Sequence, residues 1–542
     1  SGILDMNLRQ GNTGKKEYTA QASLIGLDIA AEGPLNGAHT SSFLANYRYS
    51  TVGLLSALGV DFGGEAIGFQ DFSFGLNVDQ KNGGNFTIFG LWGSSKNDFE
   101  RDSAEWEEDK DRYEILYRSK TYAFGMTYNA PVSRGNIFVG LAYSASDQSR
   151  NADASMQNDV NDYRLLFDHF AQDNAILSGN IKYTAKAGNK SSWEIGTMTN
   201  YLRNDIDALK AIGCLACLFR DETSFGGSTD GVLLQPYANW NTVINSTVSF
   251  NAGVRYLNYT YSSANSIEPR IQITVKPAPL SAIDIAYSLV SQLQTPQVYL
   301  AQNNDDLGFT KAHHVDLAYR QTLSNDLQLR GNMFYQSLFD VPVENDPGST
   351  FSVLNLVENI APADLVNDGK GENYGVEVTL EKLFFGHQYF LAGASYYDSK
   401  YTAGDGIKRN TRFNGNYTVN GVYGKEWKNA EKGRTVGVNL RLLYLGGLRE
   451  SDVLVNASQA AYETVYDTAD PFNRKLKDYM RLDARLSFKK NKPGYTRTFA
   501  IDIQNLTGRE NEAYHYYDFT QQKIVTKFQL GLIPVLAYRI DF

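Results

Sequence analysis

The two cysteines are the first residues whose type and spacing could carry chemistry. They form the segment Cys214-Leu-Ala-Cys217, and the chain contains no others. A C-x-x-C pair suits redox chemistry or half of a zinc site, but two thiols alone leave zinc with an incomplete ligand set. In oxidising surroundings such a pair forms a short disulfide that ties a loop. We predict a Cys214–Cys217 disulfide, with free thiols and metal binding as alternatives.

Three further groups carry side chains that suit a cation. Residues 98–114 contain nine carboxylates around Trp106, which would attract a positive ligand, although a solvated surface loop needs none. Residues 303–306, Asn-Asn-Asp-Asp, offer hard oxygen atoms but lack the spacing of a calcium loop. His313 and His314 are adjacent, and adjacent strand residues point to opposite faces. These patterns predict no metal site.

The residues also argue against catalysis and against nucleic-acid binding. The four other histidines are scattered along the sequence, and no Ser/His/Asp grouping or pair of carboxylates suits hydrolysis. The formal net charge is −9, and the sequence contains no cluster of basic residues. Both features disfavour a polyanion partner. We expect no enzyme, no cofactor and no nucleic acid.

The elements that must position these residues are long strands with apolar and polar residues in alternation. In 479–489, Leu482 and Leu486 alternate with Arg481, Asp483 and Arg485. Soluble strands usually run about five or six residues, whereas many segments here run longer, so a soluble sandwich is disfavoured. The longest apolar runs are far shorter than the 18 or so residues of a membrane-spanning helix. A membrane barrel needs only every second residue to be apolar.

The alternation predicts 22 strands, an even number as a closed single-chain barrel requires. We predict them at 2–10, 16–32, 40–50, 69–80, 84–94, 113–130, 134–149, 173–187, 190–203, 231–244, 246–262, 267–277, 281–292, 308–323, 325–340, 373–385, 387–402, 410–427, 433–447, 477–489, 495–510 and 525–542. Short turns then alternate with long loops, and 162–170 is placed inside a loop to preserve that order. The predicted fold is an all-β transmembrane antiparallel barrel over residues 1–542.

The C-terminus alternates apolar and polar residues and ends on an aromatic residue. Tyr538, Ile540 and Phe542 lie on one side of this segment. A final strand of this kind pairs with the first to close a barrel, and it resembles the signal that the outer-membrane assembly machinery reads. We therefore predict an assembly signal at these three residues.

Several segments together resemble the barrel of TonB-dependent receptors, in a branch distinct from the SusC-like glycan importers. The start of the chain resembles the passage from plug to barrel in that family. The resembling segments are 1–14, 33–35, 47–49, 305–314, 373–379, 398–401, 409–416, 501–506 and 532–542.

The resemblance implies a mechanism and a location. In this family an N-terminal plug fills the lumen, and extracellular loops capture a bulky, scarce ligand. The TonB complex then pulls a TonB box with energy from the inner-membrane proton gradient. We expect the outer membrane of a Gram-negative bacterium, with plug and TonB box outside this sequence. A surface lipoprotein or larger complex is a further expected partner. A scaffolding barrel and a passive porin remain alternatives.

The period-two pattern also assigns side chains to the two faces of the wall. Leu482, Leu486, Val438 and Leu440 are predicted to face lipid. The polar side chains between them are predicted to line the lumen, where the family resemblance implies contact with the plug. The predicted lumen residues are Arg441, Arg481, Asp483, Arg485, Asp502 and Arg539. The ligand is not predicted, because loops decide it.

Overall fold

The computed structural model describes most of the chain as strands. The described residues are 8–37, 40–53, 65–80, 83–99, 108–155, 164–212, 221–357, 361–461 and 463–542. No helix among them is long and apolar enough to cross a membrane.

Twenty-two strands follow one another around a ring. In chain order they are β1 (Glu17–Ser23), β2 (Gly26–Pro34), β3 (Ser41–Ser50), β4 (Glu65–Asp79), β5 (Asn85–Phe99), β6 (Tyr113–Val132), β7 (Gly135–Ser155), β8 (Arg164–Ala187), β9 (Ser191–Ile212), β10 (Asp221–Val243), β11 (Val248–Tyr259), β12 (Ala264–Ala278), β13 (Ser281–Gln292), β14 (Thr310–Ser324), β15 (Leu327–Glu344), β16 (Leu365–Phe385), β17 (Gln388–Thr402), β19 (Tyr417–Asn429), β20 (Arg434–Leu445), β23 (Tyr479–Lys492), β24 (Tyr495–Gln504) and β27 (Ile533–Asp541).

The ring closes because its first and last strands pair. Thr19 lies opposite Asp541 and Ser23 opposite Ala537 in an antiparallel ladder. Every other neighbouring pair in the ring is antiparallel as well, so the ring itself has no open edge. The predicted all-β antiparallel barrel of 22 strands is therefore confirmed.

Five short strands lie outside the ring order. The strand β18 (Lys408–Asn410) pairs with the end of β17. Two hairpins lie beyond the long-loop end of the barrel. They are formed by β21 (Arg449–Glu450) with β22 (Arg474–Lys475), and by β25 (Glu512–Asp518) with β26 (Lys523–Phe528).

The strand number is right although two predicted strands are wrong. The described part of the predicted strand 2–10 forms no strand, and the predicted strand 16–32 is two strands, β1 and β2. Ser23 causes this tight turn, because its hydroxyl donates to Gly26 O at 2.8 Å and accepts from Gly26 N at 3.1 Å. The outward apolar residues change from even positions in β1, such as Tyr18, to odd positions in β2, such as Leu27 and Ile29. The adjacent apolar pair Leu24-Ile25 marks this shift, and the prediction passed over it.

The prediction that 162–170 lies inside a loop is also wrong. Residues from Arg164 onward belong to β8, where Phe170 pairs with Ala208 of β9. The strands β7 to β10 continue far past the apolar band. Their outward side chains there are charged, as at Asp173 and Asp205. A strand that has water on both faces does not alternate apolar and polar residues, and this alternation is the pattern from which strands were predicted.

The two faces of the ring differ in polarity. Along most strands one face carries large apolar side chains that stay exposed, such as Ile29, Leu141, Ile195 and Leu317. A continuous exposed apolar surface of this extent marks contact with a membrane or a partner. The other face carries most of the polar and charged side chains, and we call it the inner face.

The two ends of the barrel also differ. At one end the strands are joined by tight turns, such as 133–134, 279–280 and 493–494. At the other end most connections are long, although residues 24–25 and 260–263 form short turns there. The longest connection, 446–478, contains its own hairpin and a short helix, Val455–Ala461. The turns and loops predicted from the alternation have this same asymmetry, which barrels of the outer membrane share.

Candidate functional site: the lumen and its mouth

The six residues predicted to line the lumen share one face of the wall formed by β20, β23, β24 and β27. Their ladder positions are Arg441 opposite Asp483, Arg485 opposite Asp502, Arg481 opposite Leu443, and Arg539 opposite Gln21. Five of the six take part in three ion pairs within this wall: Arg481–Asp483 at 2.7 Å, Arg485–Asp502 at 2.9 Å and Arg539–Asp541 at 2.7 Å. This face is the inner one, and we call these residues the charged wall.

The residues predicted to face lipid lie on the opposite side of the same strands. Val438 pairs with Leu486, and Leu482 pairs with Leu442. Leu440 and Leu442 are 40% and 37% exposed despite being apolar. The register thus separates the leucines from the arginines as the alternation predicted.

Ion pairs recur around the rest of the inner face. Glu268 is fully buried and pairs with Arg255 at 2.6 Å. Arg320 pairs with Asp284 at 2.8 Å, on neighbouring strands. Sequence reasoning missed these pairs, because each partner is recognised only once the strands are in register. The charges on the inner face therefore largely compensate one another locally.

The segment that precedes β1 lies against the inner face. Arg9 forms an ion pair with Glu32 at 2.7 Å, and Asn12 N donates to the same carboxylate at 2.8 Å. Glu32 lies on the face opposite to exposed Ile29. Gly11 packs so closely that an added Cβ would lie 2.0 Å from Phe43 O. The chain therefore reaches its first strand from inside the ring.

One long connection folds inward at the mouth of the barrel. It comprises residues 293–309, which we call the inward loop, and includes the short helix Pro296–Tyr299. Val298, Leu307 and Phe309 are at most 2% exposed and form one cluster with residues of the wall. The wall residues in this cluster are Leu233, Leu257, Tyr259, Ala264 and Leu365. Burial raises the pKa of Tyr299. The inward loop is thus packed as a small core.

Polar side chains also hold the inward loop in place. The Asn304 side chain is fully buried and donates to Val298 O at 3.0 Å and to Pro362 O at 2.9 Å. Its Oδ1 accepts from Leu365 N at 2.8 Å. Gln297 reaches across to Gln172 of β8 at 3.2 Å. Asn304 therefore connects the inward loop to the connection that follows β15.

A second packed region forms beyond the mouth, where the connection 446–478 meets the hairpin of β25 and β26. His515 contacts Glu450 through Nδ1, and Tyr466 donates its hydroxyl proton to His515 O at 2.8 Å. Gln459 donates to the Tyr517 hydroxyl at 2.7 Å. Burial raises the pKa of Tyr466 to about 12. These loops are held by specific contacts.

The structure also locates most of the residues considered for metal binding. No group of His, Cys, Asp or Glu in the described ranges is arranged to hold a metal ion. His313 stacks between Tyr287 and Phe339, whereas His314 contacts Asp316 at 3.1 Å on the other face. Asn303 is an ordinary turn residue with a positive φ of 61°. Cys214, Cys217 and most of the acidic segment lie outside the described residues.

Comparison with known families agrees with this geometry. The family model described as TonB dependent receptor-like, beta-barrel, matches residues 32–506. The chain belongs to the TonB-dependent receptor family. Family membership confirms the predicted outer-membrane location, and it confirms a receptor and transporter rather than an enzyme. The short-turn end therefore faces the periplasm and the inward loop lies at the extracellular side.

Solved structures share the fold at low identity. The ferric-catecholate import receptor Fiu from E. coli K12 gives a TM-score of 0.70 at 12% identity, over 98% of this chain and 82% of that one. The ferric yersiniabactin uptake receptor FyuA from Yersinia pestis gives 0.68 at 12% identity, over 98% and 81%. FpvA from P. aeruginosa, bound to heterologous pyoverdines, gives 0.71 at 10% identity, over 97% and 71%. No curated protein sequence matches this one.

The C-terminal residues complete the barrel of this receptor. Tyr538 and Ile540 lie in β27, on the face opposite Arg539. Phe542 stacks on Tyr18 of β1 with ring centroids 5.7 Å apart. The aromatic terminus thus fastens the last strand to the first. Its recognition by the assembly machinery stays a prediction.

Proposed function

We propose that this barrel is the outer wall of an importer for a bulky, scarce ligand, and that a plug encoded before residue 1 gates it. The TonB complex would act on that plug with energy from the inner-membrane proton gradient. The observation that carries the proposal is the path of residues 9–12 along the inner face, held by the ion pair of Arg9 with Glu32. A domain preceding this segment would begin inside the ring, where a barrel of this width has room for it.

The charged wall supplies the surface for such a plug in this proposal. Its ion pairs leave donors to spare, because a guanidinium has five N–H groups and each Arg uses only some of them. Arg485 illustrates this, since its Nη1 donates to the two oxygens of Asp502. A polar wall whose charges are already compensated can contact a plug and release it without leaving bare charges behind.

The ligand class to test first is a ferric chelate. Fiu is a ferric-catecholate import receptor, and FyuA is a ferric yersiniabactin uptake receptor. This chain shares their fold at 12% identity, so the ligand is a proposal. We further propose that the barrel assembly machinery inserts the chain through β27 and that a surface lipoprotein can join it.

Photocrosslinking in the full-length protein tests the plug proposal. A photoreactive residue at Arg485 should capture the N-terminal domain, whereas one at the next position, Leu486, should capture only lipid. The two labelled positions are adjacent in sequence and lie on opposite faces of the wall. Capture of a separate partner protein at Arg485, with no N-terminal domain, would favour the scaffold alternative. Capture of nothing at Arg485 would favour an unplugged porin.

A further inference from the structure

An aromatic row crosses four neighbouring strands on the outward face. Tyr47, Phe72, Trp92 and Tyr122 are consecutive ladder partners on β3, β4, β5 and β6. Below this row the outward residues of β5 are Phe86, Ile88 and Gly90, and no charged residue interrupts them. Aromatic side chains of this kind gather where a membrane's apolar interior meets its head groups. The row therefore marks the extracellular boundary of the apolar band.

Three cationic side chains lie directly beyond this row, also on the outward face. Lys120 is two residues beyond Tyr122 on β6, and Arg118 follows at the next outward position. Lys96 of β5 lies directly opposite Arg118. These residues line a pocket of about 520 Å³ together with Tyr49, Gly68, Gln70, Ser94, Asp147 and Ser149. A volume of this size suits a small-molecule group. The pocket opens toward lipid and away from the lumen.

The pocket keeps an excess of positive charge. Asp98 contacts Arg118 and lies 3.7 Å from Lys96. Lys120 forms no ion pair within the part of the chain that the structure describes, although Asp147 is its ladder partner. Like charges placed directly opposite each other, as Lys96 and Arg118 are, destabilise a sheet. One carboxylate contacts both cations, and an anionic ligand would relieve the remaining repulsion.

The same arrangement recurs on the far side of the ring. Lys370, Lys400 and Lys408 line a second outward pocket of about 430 Å³ with Tyr335. Two of these lysines are paired, Lys400 with Asp398 at 2.9 Å and Lys408 with Glu372. Tyr335 and Tyr374 are ladder partners just below them. Because a second lysine-rich pocket also lies above outward tyrosines, the arrangement is a repeated feature of the outward surface.

The basic surface is bounded on its other side. Beyond Lys120 the ladder partners at the same level are Asp147, Asp173 and Asp205. This row is acidic and would repel an anion. The positive potential is therefore confined to β5 and β6, where the aromatic row lies directly beneath it.

We propose that the pocket of Lys96, Arg118 and Lys120 binds a phosphate group of an outer-leaflet glycolipid of the lipid A class. The cations hold the phosphate through charge-assisted hydrogen bonds, while the acyl chains lie along the aromatic row and the apolar band below. Basic clusters at the end of a membrane span bind anionic head groups in this way. This site is separate from the lumen and from any transported ligand.

Native mass spectrometry of the purified full-length protein tests the proposal. The probes are lipid A, dephosphorylated lipid A, phosphatidylglycerol and inorganic phosphate. The variant is the double substitution Arg118→Gln and Lys120→Gln, which removes two positive charges and leaves uncharged polar side chains. Its matched control is Arg497→Gln, because Arg497 lies over the Tyr495 ring at the periplasmic end of β24.

We expect lipid A to remain bound to the wild type and to the control, and to bind the double variant about tenfold more weakly, as expected for lost charge-assisted contacts. Dephosphorylated lipid A should bind no better to the wild type than to the double variant. Equal binding of lipid A to variant and wild type would overturn the proposal. Equal binding of phosphatidylglycerol, or full competition by inorganic phosphate, would also overturn it, because the site would then not select the glycolipid.

Discussion

The barrel wall and the inward loop are built in different ways. In the wall each residue depends on its partners in the two adjacent strands, as Val438 does on Leu486. In the inward loop Asn304 joins residues of two connections, since it binds both Val298 and Pro362. The wall is therefore a repeated local arrangement, whereas the loop depends on a few buried contacts between distant parts of the chain.

This difference implies that damage should stay within the region where it occurs. A substitution in the wall changes how the barrel inserts and how stable it is. A substitution in the small core of the inward loop changes the mouth and leaves the ring closed. The predictions below test that separation, beginning with the largest expected effect.

Phe309→Ala should release the inward loop without opening the ring. Phe309 is 1% exposed, and truncating a buried Phe to Ala costs about 3–5 kcal/mol. Hydrogen exchange should rise in 293–309, while exchange in β20 and β23 stays slow. The control is Phe413→Ala, because Phe413 is 45% exposed and should change little. Equal exchange in loop and wall would show that the two regions are not independent.

Leu486→Arg should destabilise the wall, since an Arg on the lipid face near the midplane costs about 2–4 kcal/mol. Ser487→Arg is the matched control, because the next residue faces the lumen and its Arg can stay hydrated. The measurement is the free energy of unfolding in lipid vesicles. If the two variants were equally destabilised, the assignment of faces would be wrong.

Arg485→Ala should have a small effect on the stability of the barrel, less than about 1 kcal/mol, because its ion pair with Asp502 is half-exposed to the hydrated lumen. The same variant should weaken retention of the plug in the full-length protein if the charged wall contacts it. The unfolding free energy and the proteolytic release of the plug measure the two effects separately. A large loss of barrel stability would show that the pair is structural.

Oxidation of Cys214 and Cys217 should leave the stability of the barrel unchanged, because the bond closes only a very short loop. Thiol labelling of intact cells should be weak before reduction and strong after it. Strong labelling without a reductant would contradict the disulfide.

The sequence predicts the wall far better than the mouth, and particular residues explain why. In β23 the order Leu482, Asp483, Ala484, Arg485 states the two faces directly. The turn at Ser23 was missed because only the adjacent apolar pair Leu24-Ile25 marks the shift of the apolar face from even to odd positions. The extension of β8 was missed because its outward face is polar there. Local pattern is readable only where one face meets lipid.

The contacts at the mouth and the outward pockets could be recognised only from the structure. Asn304 reads as part of an ordinary polar turn, yet it is fully buried between two connections. Lys96 and Arg118 are separated by more than twenty residues in sequence but face each other across two strands. Such pairs depend on strand register, and the register of two strands is known only when the pairing of the whole ring is known. The charged wall was readable because each strand carries its own alternation.

The conductance of the barrel tests the central claim most directly. We expect residues 1–542, purified and inserted in a planar bilayer, to form a large pore that conducts without TonB, since a lumen of 22 strands is too wide for side chains to fill. The full-length protein with its upstream domain should be closed. A closed barrel from residues 1–542 would contradict the account, because the inward loop would then be the seal and no plug would be required.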